Sequence, residues 1–546
     1  MYSVKINDKV YTYEENKTLE QIAKELNVHC LAAKVNNRIR ELGYYVNYDC
    51  NVELIGFDNH DAIRVYETSL RYLVIMALER IDPSIKVFFN QCISRSLSCH
   101  VEGIDVDQAF LDKLEAKLNE IVKANYPIKR HRISKDEALK LYTEKGYLDK
   151  VEALKYRPND YVNTYECDGY INYMFGYMVP STGYVNKWSF MVYENDFLIQ
   201  YPRAELNGEI PEFEDAPVFS KMIRDAKQWA IMCDGNTVAK MNQHLDNQTM
   251  ADFVNMCETR HNDMLADLGL KIKSNPELRL ICIAGPSSSG KTTFSHRLRI
   301  ELMARGIKTY KISMDDYYKN KADAPIDEFG EPDLEHVDAL DVPLFNKHLL
   351  ELVQGKEVAS PIFDFKLGKR SDKVNLIKVP KDAIIIIEGI HALNERLTKS
   401  ILKHQKFKIY ISPLTQINID NHNPINATDV RLLRRIVRDA QFRKTSPIET
   451  LAMWPSVRRG EFKWIYPNQE AADYVYNTEL TYELCVMKKY ALPALDAVDR
   501  NNEYYIQANR FVKFLKYFKD IDDRYVPCNS LLREFIGGSC FYEEDE

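Results

Sequence analysis

Leu280-Ile281-Cys282-Ile283-Ala284, followed at once by Gly285-Pro286-Ser287-Ser288-Ser289-Gly290-Lys291-Thr292, decides the fold. The first run is short and wholly apolar, the signature of a buried strand. The second spells G-x-x-x-x-G-K-[ST], in which glycines let the backbone curl until successive N–H groups point at phosphate oxygens. Phe294, Leu298 and Leu302 then recur at helical spacing, and Gly306 supplies a stop. The helix adds its positive N-terminal end to the loop. Strand, loop and helix stand in the order a phosphate cradle requires. Ser287 to Ser289 are followed by no His and Asp in an order that would make them nucleophiles, so they read as loop-spacing residues.

Outward from the loop, Ile384 to Ile387 form a second apolar run that ends in Glu388-Gly389. A carboxylate at the tip of a buried strand is how such folds orient Mg²⁺, partly through water. Lys308 to Ile312 and Phe407 to Ile411 read as further strands, with helical patterns between. This alternation predicts an α/β domain with a doubly wound parallel sheet, its strand tips and phosphate loop on one edge. Asn320-Lys321-Ala322-Asp323 spells the guanine-reading N-K-x-D, but it precedes the Glu388 strand and follows no buried strand. It reads as coincidence.

At 546 residues the chain is long enough for three to four domains. A net charge of −7 excludes a basic nucleic-acid-wrapping surface over the whole chain, though not a local patch. Hydrophobic residues at 45% and charged residues at 28% are ordinary globular values. The longest apolar run, Tyr72 to Leu78, is far short of the roughly 20 residues a membrane helix needs. The N-terminus shows no apolar signal segment, which points to a cytoplasmic protein. Eleven scattered cysteines without a C-x-x-C read as reduced, buried thiols. The twelve histidines offer no H-x-x-x-H pair for zinc.

The first 62 residues read as a β-grasp unit. Val4 to Ile6 and Val10 to Tyr13 flank a turn at Asn7-Asp8-Lys9. Leu19, Ile22, Ala23 and Leu26 share a helix face, and strand-like runs follow at Ala32 to Val35 and Val52 to Ile55. This order resembles the TGS domain of threonyl-tRNA synthetases and some GTPases; a plain ubiquitin-like interaction module is the alternative. Residues 63–205, with helices at Tyr66 to Arg80 and Asp107 to Ala124, resemble the α+β domain beside TGS that hydrolyses mischarged tRNA. That domain binds a metal through two histidines on its first helix and a later Cys and His. Here Thr68 and Tyr72 stand at the helix positions, and Glu166-Cys167-Asp168-Gly169-Tyr170-Ile171 keeps the Cys but has Ile171 for the His. One thiolate cannot hold Zn²⁺ with such partners, so no zinc is expected. Residues 206–272 read as a helical connector and 501–546 as a C-terminal helical segment, in which Ser530 to Ser539 has no assigned role.

The span 273–500 resembles the uridine kinase/phosphoribulokinase family, and the whole chain looks like its bacterial TGS-containing nucleoside kinase members. Uridine–cytidine kinases carry D-x-[FY]-Y after the second strand, here Asp315-Asp316-Tyr317-Tyr318. By that resemblance Asp315 accepts the proton of the sugar 5′-hydroxyl. The family's sugar-gripping stretch corresponds to Leu334-Glu335-His336-Val337-Asp338-Ala339-Leu340-Asp341, with Glu335 in place of Asp. Arg431, Arg434, Arg435 and Arg438 fall on one helix face and, with Arg443, look like the lid over a triphosphate. The base-reading P-x-Y-D-F-x-x-H-x-R becomes Pro361-Ile362-Phe363-Asp364-Phe365-Lys366-Leu367-Gly368-Lys369-Arg370. Tyrosine and histidine are thus Phe363 and Gly368, so both polar base contacts are missing.

The resemblance implies an ATP- and Mg²⁺-dependent kinase of a nucleoside 5′-hydroxyl, uridine or cytidine first. Gly285, Pro286, Ser287, Ser288, Ser289, Gly290, Lys291, Thr292, Thr293, Arg438 and Arg443 would bind ATP. Asp315 and Lys291 would be catalytic, and Thr292 and Glu388 would hold Mg²⁺. Asp315, Tyr318, Glu335, Phe363, Phe365, Arg370 and Arg435 would line the acceptor site. A phosphoribulokinase-like kinase of another sugar or small alcohol is the same-class alternative; a tRNA-associated regulatory NTPase is the other. No membrane partner is expected, nucleic acid is disfavoured except through the TGS-like unit, and a homo-oligomer is left open.

Overall fold

The strand that opens the phosphate loop, Leu280–Ala284, lies at the centre of a parallel sheet. In space the order is Thr309–Ser313, Ile384–Glu388, Leu280–Ala284, Lys406–Ser412, Tyr474–Asn477. Every neighbouring pair is parallel. The chain winds to one side of Leu280–Ala284 and then to the other, so the topological switch falls where the loop emerges. The computed structural model describes residues 1–328, 330–364 and 367–541.

Alternate residues of these strands feed two cores, as the two-residue period of a strand demands. Ile281, Ile283, Ile386, Ile409 and Ile411 pack with Phe294, Leu298, Leu433 and Leu484 on one face. Leu280, Cys282, Ile385, Ile387 and Tyr410 pack with Phe345, Leu349 and Leu397 on the other. The helices Pro217–Met232, Val238–Asp246 and Met250–Lys273 do not merely connect. Met241, Phe253, Leu265 and Leu268 enter the first of those cores, as do Phe511, Leu515, Leu531 and Phe535 from beyond residue 500. Amphipathic spacing reveals an apolar face but not the surface it will cover, which is why the two stretches read in the sequence as a connector and a C-terminal helical segment.

The N-terminal sheet runs Lys9–Tyr13, Tyr2–Ile6, Cys50–Ile55, Ala32–Val35, Ile39–Arg40. Its first and last long strands pair in parallel, and Leu19, Ile22 and Ala23 of the helix Leu19–Glu25 fill its core. The next helix, His60–Ile81, starts earlier than its apolar pattern because Asn59 caps it. It packs among the four-stranded sheet that holds Lys86–Ile93 and Ser96–Glu102.

A hairpin, Asn418–Asp420 with Asn423–Pro424, joins this N-terminal half to the parallel-sheet half. Asn418 Nδ2 donates to Phe89 O at 2.9 Å, and Phe175 N donates to Asn423 Oδ1 at 2.7 Å. The Arg71 guanidinium donates to His422 O. Lys150 and Asp420 form an ion pair at 3.0 Å with side chains only 2% and 1% exposed. Among the described residues no helix is long and apolar enough to cross a membrane.

Candidate active site

The loop after Leu280–Ala284 turns through left-handed backbone at Ser288 (φ +60°) and Gly290 (φ +90°). Gly290 is required there twice over, since a Cβ would also lie 2.5 Å from Leu531 Cδ2. The Ser288 and Ser289 hydroxyls are buried without a hydrogen-bond partner. Lys291 Nζ donates to Gly285 O at 3.0 Å and Pro286 O at 3.2 Å, curling the loop around its own ammonium. Unanswered polar groups and a cation turned inward at the start of the helix Lys291–Ala304 make an anion cradle.

Beside it, Thr292 Oγ1 donates to Glu388 Oε1 at 3.4 Å, and Lys311 Nζ lies 3.4 Å from the same oxygen. Asp315 is half-buried just beyond Thr309–Ser313. Loss of solvent, and secondarily the Glu388 charge, push its carboxyl up to about 6, while Lys291 and Arg443 act against the rise. Asp316 is raised by burial as well, although its Oδ1 accepts from Phe363 N at 3.4 Å. A hydroxyl and crowded carboxylates are the hard oxygen donors that Mg²⁺ takes, so Thr292 and Glu388 fit that ion. A divalent cation would relieve the crowding of like charge.

The arginine stripe on Ala427–Phe442 divides in two. Arg431 is buried against Glu461 and also donates to Ser287 O at 3.3 Å. Arg434 is fully buried on Glu483 and donates to Thr478 O at 2.8 Å. Neither is an open lid residue, contrary to the reading from spacing. Helical periodicity shows that the four share a face, but not that Glu461 and Glu483 close over part of it. Arg435 instead donates from Nη1 to Ser287 Oγ at 2.9 Å. Arg435, Arg438 and Arg443 gather on the buried Asp439 at 3.3, 2.7 and 3.7 Å.

Across the cleft, Glu335 Oε2 is buried without a hydrogen-bond partner. Burial first, and the Glu461 charge second, push its carboxyl up to about 7, while Arg435 and Lys291 oppose the shift. The Lys291 charge thus acts on both Asp315 and Glu335. Two residues here escaped sequence reasoning. His391, buried beside the Glu335 backbone, is held neutral, its value lowered to about 4 chiefly by burial. Trp464 stands edge-on to His336 with ring centres 4.1 Å apart and faces Asp333 at 3.4 Å. The one available signal was the place of His391 directly after the Glu388 strand.

Phe363 and Tyr318 face each other with ring centres 5.7 Å apart. Gly368, at φ +62°, makes the turn between Glu357–Asp364 and Lys369–Lys378, a conformation in which a histidine would be strained. Phe365 lies outside the described residues. Arg370, expected at the acceptor site, is held by its neighbours. Its fork donates to Tyr318 O at 2.8 Å, Tyr317 O at 2.9 Å and Asp341 Oδ2 at 3.2 Å, so it braces the pocket wall. The N-K-x-D stretch is part of the same bracing, with Lys321 N donating to Gly368 O at 2.8 Å.

In the N-terminal half, the Tyr72 hydroxyl donates to Tyr170 O at 2.8 Å, and Thr68 is buried next to Gly176. Burial pushes the Cys167 thiol up to about 12, the opposite of what a metal-binding thiolate needs. Among the described residues no group of three or more His, Cys, Asp or Glu is placed to hold a metal.

A central parallel strand, an inward-facing glycine loop and a carboxylate at the adjacent strand tip define a P-loop nucleotide-binding α/β protein, carrying a β-grasp and an α+β unit at its N-terminus. Residues 280–482 match the model of the Phosphoribulokinase / Uridine kinase family. A uridine kinase of Borrelia turicatae is 32% identical over 200 residues, covering 36% of this chain and 85% of that protein. The chain belongs to that family. A threonine–tRNA ligase of Clostridium kluyveri is 28% identical over 183 residues, 32% of this chain, and the chain spans only 29% of that protein's length. A solved structure described as a possible uridine kinase from Bacillus stearothermophilus aligns at 16% identity and TM-score 0.28, covering 40% of this chain and 98% of that one.

Proposed function

We propose that the protein transfers the γ-phosphoryl group of ATP to the 5′-hydroxyl of a nucleoside, uridine or cytidine first. The observation that carries this is Asp315, a carboxylate set between Lys291 and Glu388 with its value raised to about 6. A base near that value is ionised at neutral pH yet basic enough to take a proton in the transition state. Asp315 would accept the proton of the 5′-hydroxyl as its oxygen bonds to the γ-phosphorus and ADP departs. The loop from Gly285 to Thr293 would hold the phosphates, and Lys291 would reach the β- and γ-oxygens. Mg²⁺ held at Thr292 and Glu388 would supply charge neutralisation at those oxygens. Arg435, Arg438 and Arg443 would offset the charge that spreads over the transferring group. Glu335 would accept from ribose hydroxyls, with Tyr318 and Phe363 against the base.

A second reading, a kinase of another sugar or small alcohol, is favoured by one feature. Phe363 and Gly368 offer no side-chain polar group to a base edge. A regulatory NTPase is the third reading, and it would leave a base such as Asp315 without an acceptor hydroxyl to serve. ADP release against a panel of nucleosides and sugars separates these readings. Release that requires a nucleoside supports the first, release with sugars alone supports the second, and acceptor-independent release supports the third.

A further inference from the structure

The segment after Val526 returns to the phosphate loop and sits on it. Leu531, fully buried, covers Gly290. Glu534 Oε2 accepts from the backbone N–H of Thr293 at 2.9 Å. That N–H belongs to the first turn of the loop helix, among the groups that cradle α- and β-phosphates in such loops. A carboxylate there occupies a place meant for a phosphate oxygen. Phe541 stacks on His296 of the same helix, ring centres 5.6 Å apart at 13°. Arg533 fastens the segment from within, donating to Asp523 O at 2.7 Å and Val526 O at 2.6 Å.

Two cysteines stand at the base of this loop. Cys540 N donates to Cys528 O at 3.0 Å, and the nearby Cys528 thiol adds to burial in raising the Cys540 thiol. Both are exposed, unlike most of the other free cysteines. A single backbone hydrogen bond keeps two α-carbons within roughly 5–6.5 Å, inside the span a disulfide bridges without moving the chain.

We propose that Cys528 and Cys540 form a redox modification site whose disulfide locks Glu534 and Leu531 over the phosphate loop and so excludes nucleotide. The oxidant is a low-molecular-weight disulfide. One cysteine thiolate attacks its S–S bond and expels one thiolate; the second cysteine then displaces the other. The two protein thiols are oxidised to one disulfide, and the reagent is reduced to two thiols that carry the two protons. Reduced, the segment can lift and admit phosphates in place of the Glu534 carboxylate. This inference rests on the reading of the loop as a nucleotide site.

The test uses the full chain, treated with oxidised or reduced glutathione, with MgADP as the calorimetric probe. Oxidised protein should yield a Cys528–Cys540 linked peptide by mass spectrometry and bind MgADP at least tenfold more weakly, with recovery on reduction. Cys528→Ser should bind like reduced protein under both conditions. Glu534→Gln, reduced, should bind at least threefold more tightly, because a charge competing with phosphate is gone. Failure of the disulfide to form, equal affinity in both states, or no gain in Glu534→Gln overturns the latch. Reduced wild-type protein that binds no MgADP removes the nucleotide site itself, and the latch with it.

Discussion

Asp315 is the proposed base, and its surroundings set how tightly it holds a proton. Its folded carboxyl binds a proton more tightly than the ordinary value of 3.8 because burial and Glu388 disfavour its charge. The stability this group contributes is therefore full below that value and lost as pH rises through about 6. Asp315→Asn should accordingly raise the melting temperature at pH 8 more than at pH 4, which differential scanning calorimetry at the two pH values checks. Catalysis runs the other way, since a protonated Asp315 cannot take a proton. The rate constant kcat/KM for MgATP should fall below about pH 6 and level off above it. At neutral pH, Asp315→Asn should lower kcat at least ~10²-fold with nucleotide affinity largely kept, whereas Lys291→Ala should weaken both. The motif letters made Asp315, Lys291, Thr292 and Glu388 legible. They could not show the environment of Asp315, because burial and neighbouring charge come from distant segments. The partners of Arg370 were hidden for the same reason, its carbonyl acceptors being contributed by the turn at Tyr317 and Tyr318.

Among the elements, the arginine helix Ala427–Phe442 has a structural half and a site-facing half. Arg434 and Glu483 are fully buried partners, so removing one leaves the other's charge stranded. Glu483→Ala should cost on the order of 3–5 kcal/mol, measured by chemical denaturation, while Arg438→Ala should cost less, because Arg435 and Arg443 still face Asp439, and should lower turnover. In the proposed function, the Glu357–Asp364 and Lys369–Lys378 hairpin would set specificity. A pocket wall of Phe363, without a hydroxyl, discriminates about 10–200-fold, far less than one that hydrogen-bonds its substrate. Phe363→Tyr should sharpen preference for pyrimidine over purine nucleosides in kcat/KM ratios. A histidine at position 368 is a poor companion change, because the turn holds that residue at φ +62°. Four of the five strands of the parallel sheet were legible in the sequence, but Tyr474–Asn477 at its edge was not. The faces of amphipathic helices were legible too, but not which carboxylates would close over them.

At the scale of the molecule, the N-terminal half is built into the P-loop half. Asp420 and His422 lie on the hairpin that leads into the arginine helix, and that hairpin is held by Lys150, Arg71 and Asn172. Lys150→Met strands a buried Asp420 and should destabilise the protein by about 3–5 kcal/mol. It should also lower kcat, because the arginine helix hangs from that hairpin. Such a joint has no motif, which is why the sequence showed a series of separate segments and not their union. The most direct measurement is ³¹P NMR of the product formed from MgATP and uridine, with 5′-deoxyuridine in parallel. A new phosphomonoester coupled to the 5′ protons should form with uridine alone and be lost in Asp315→Asn. A phosphate on the 2′- or 3′-oxygen, or ADP and inorganic phosphate without any phosphorylated acceptor, would contradict a kinase acting on the nucleoside 5′-hydroxyl.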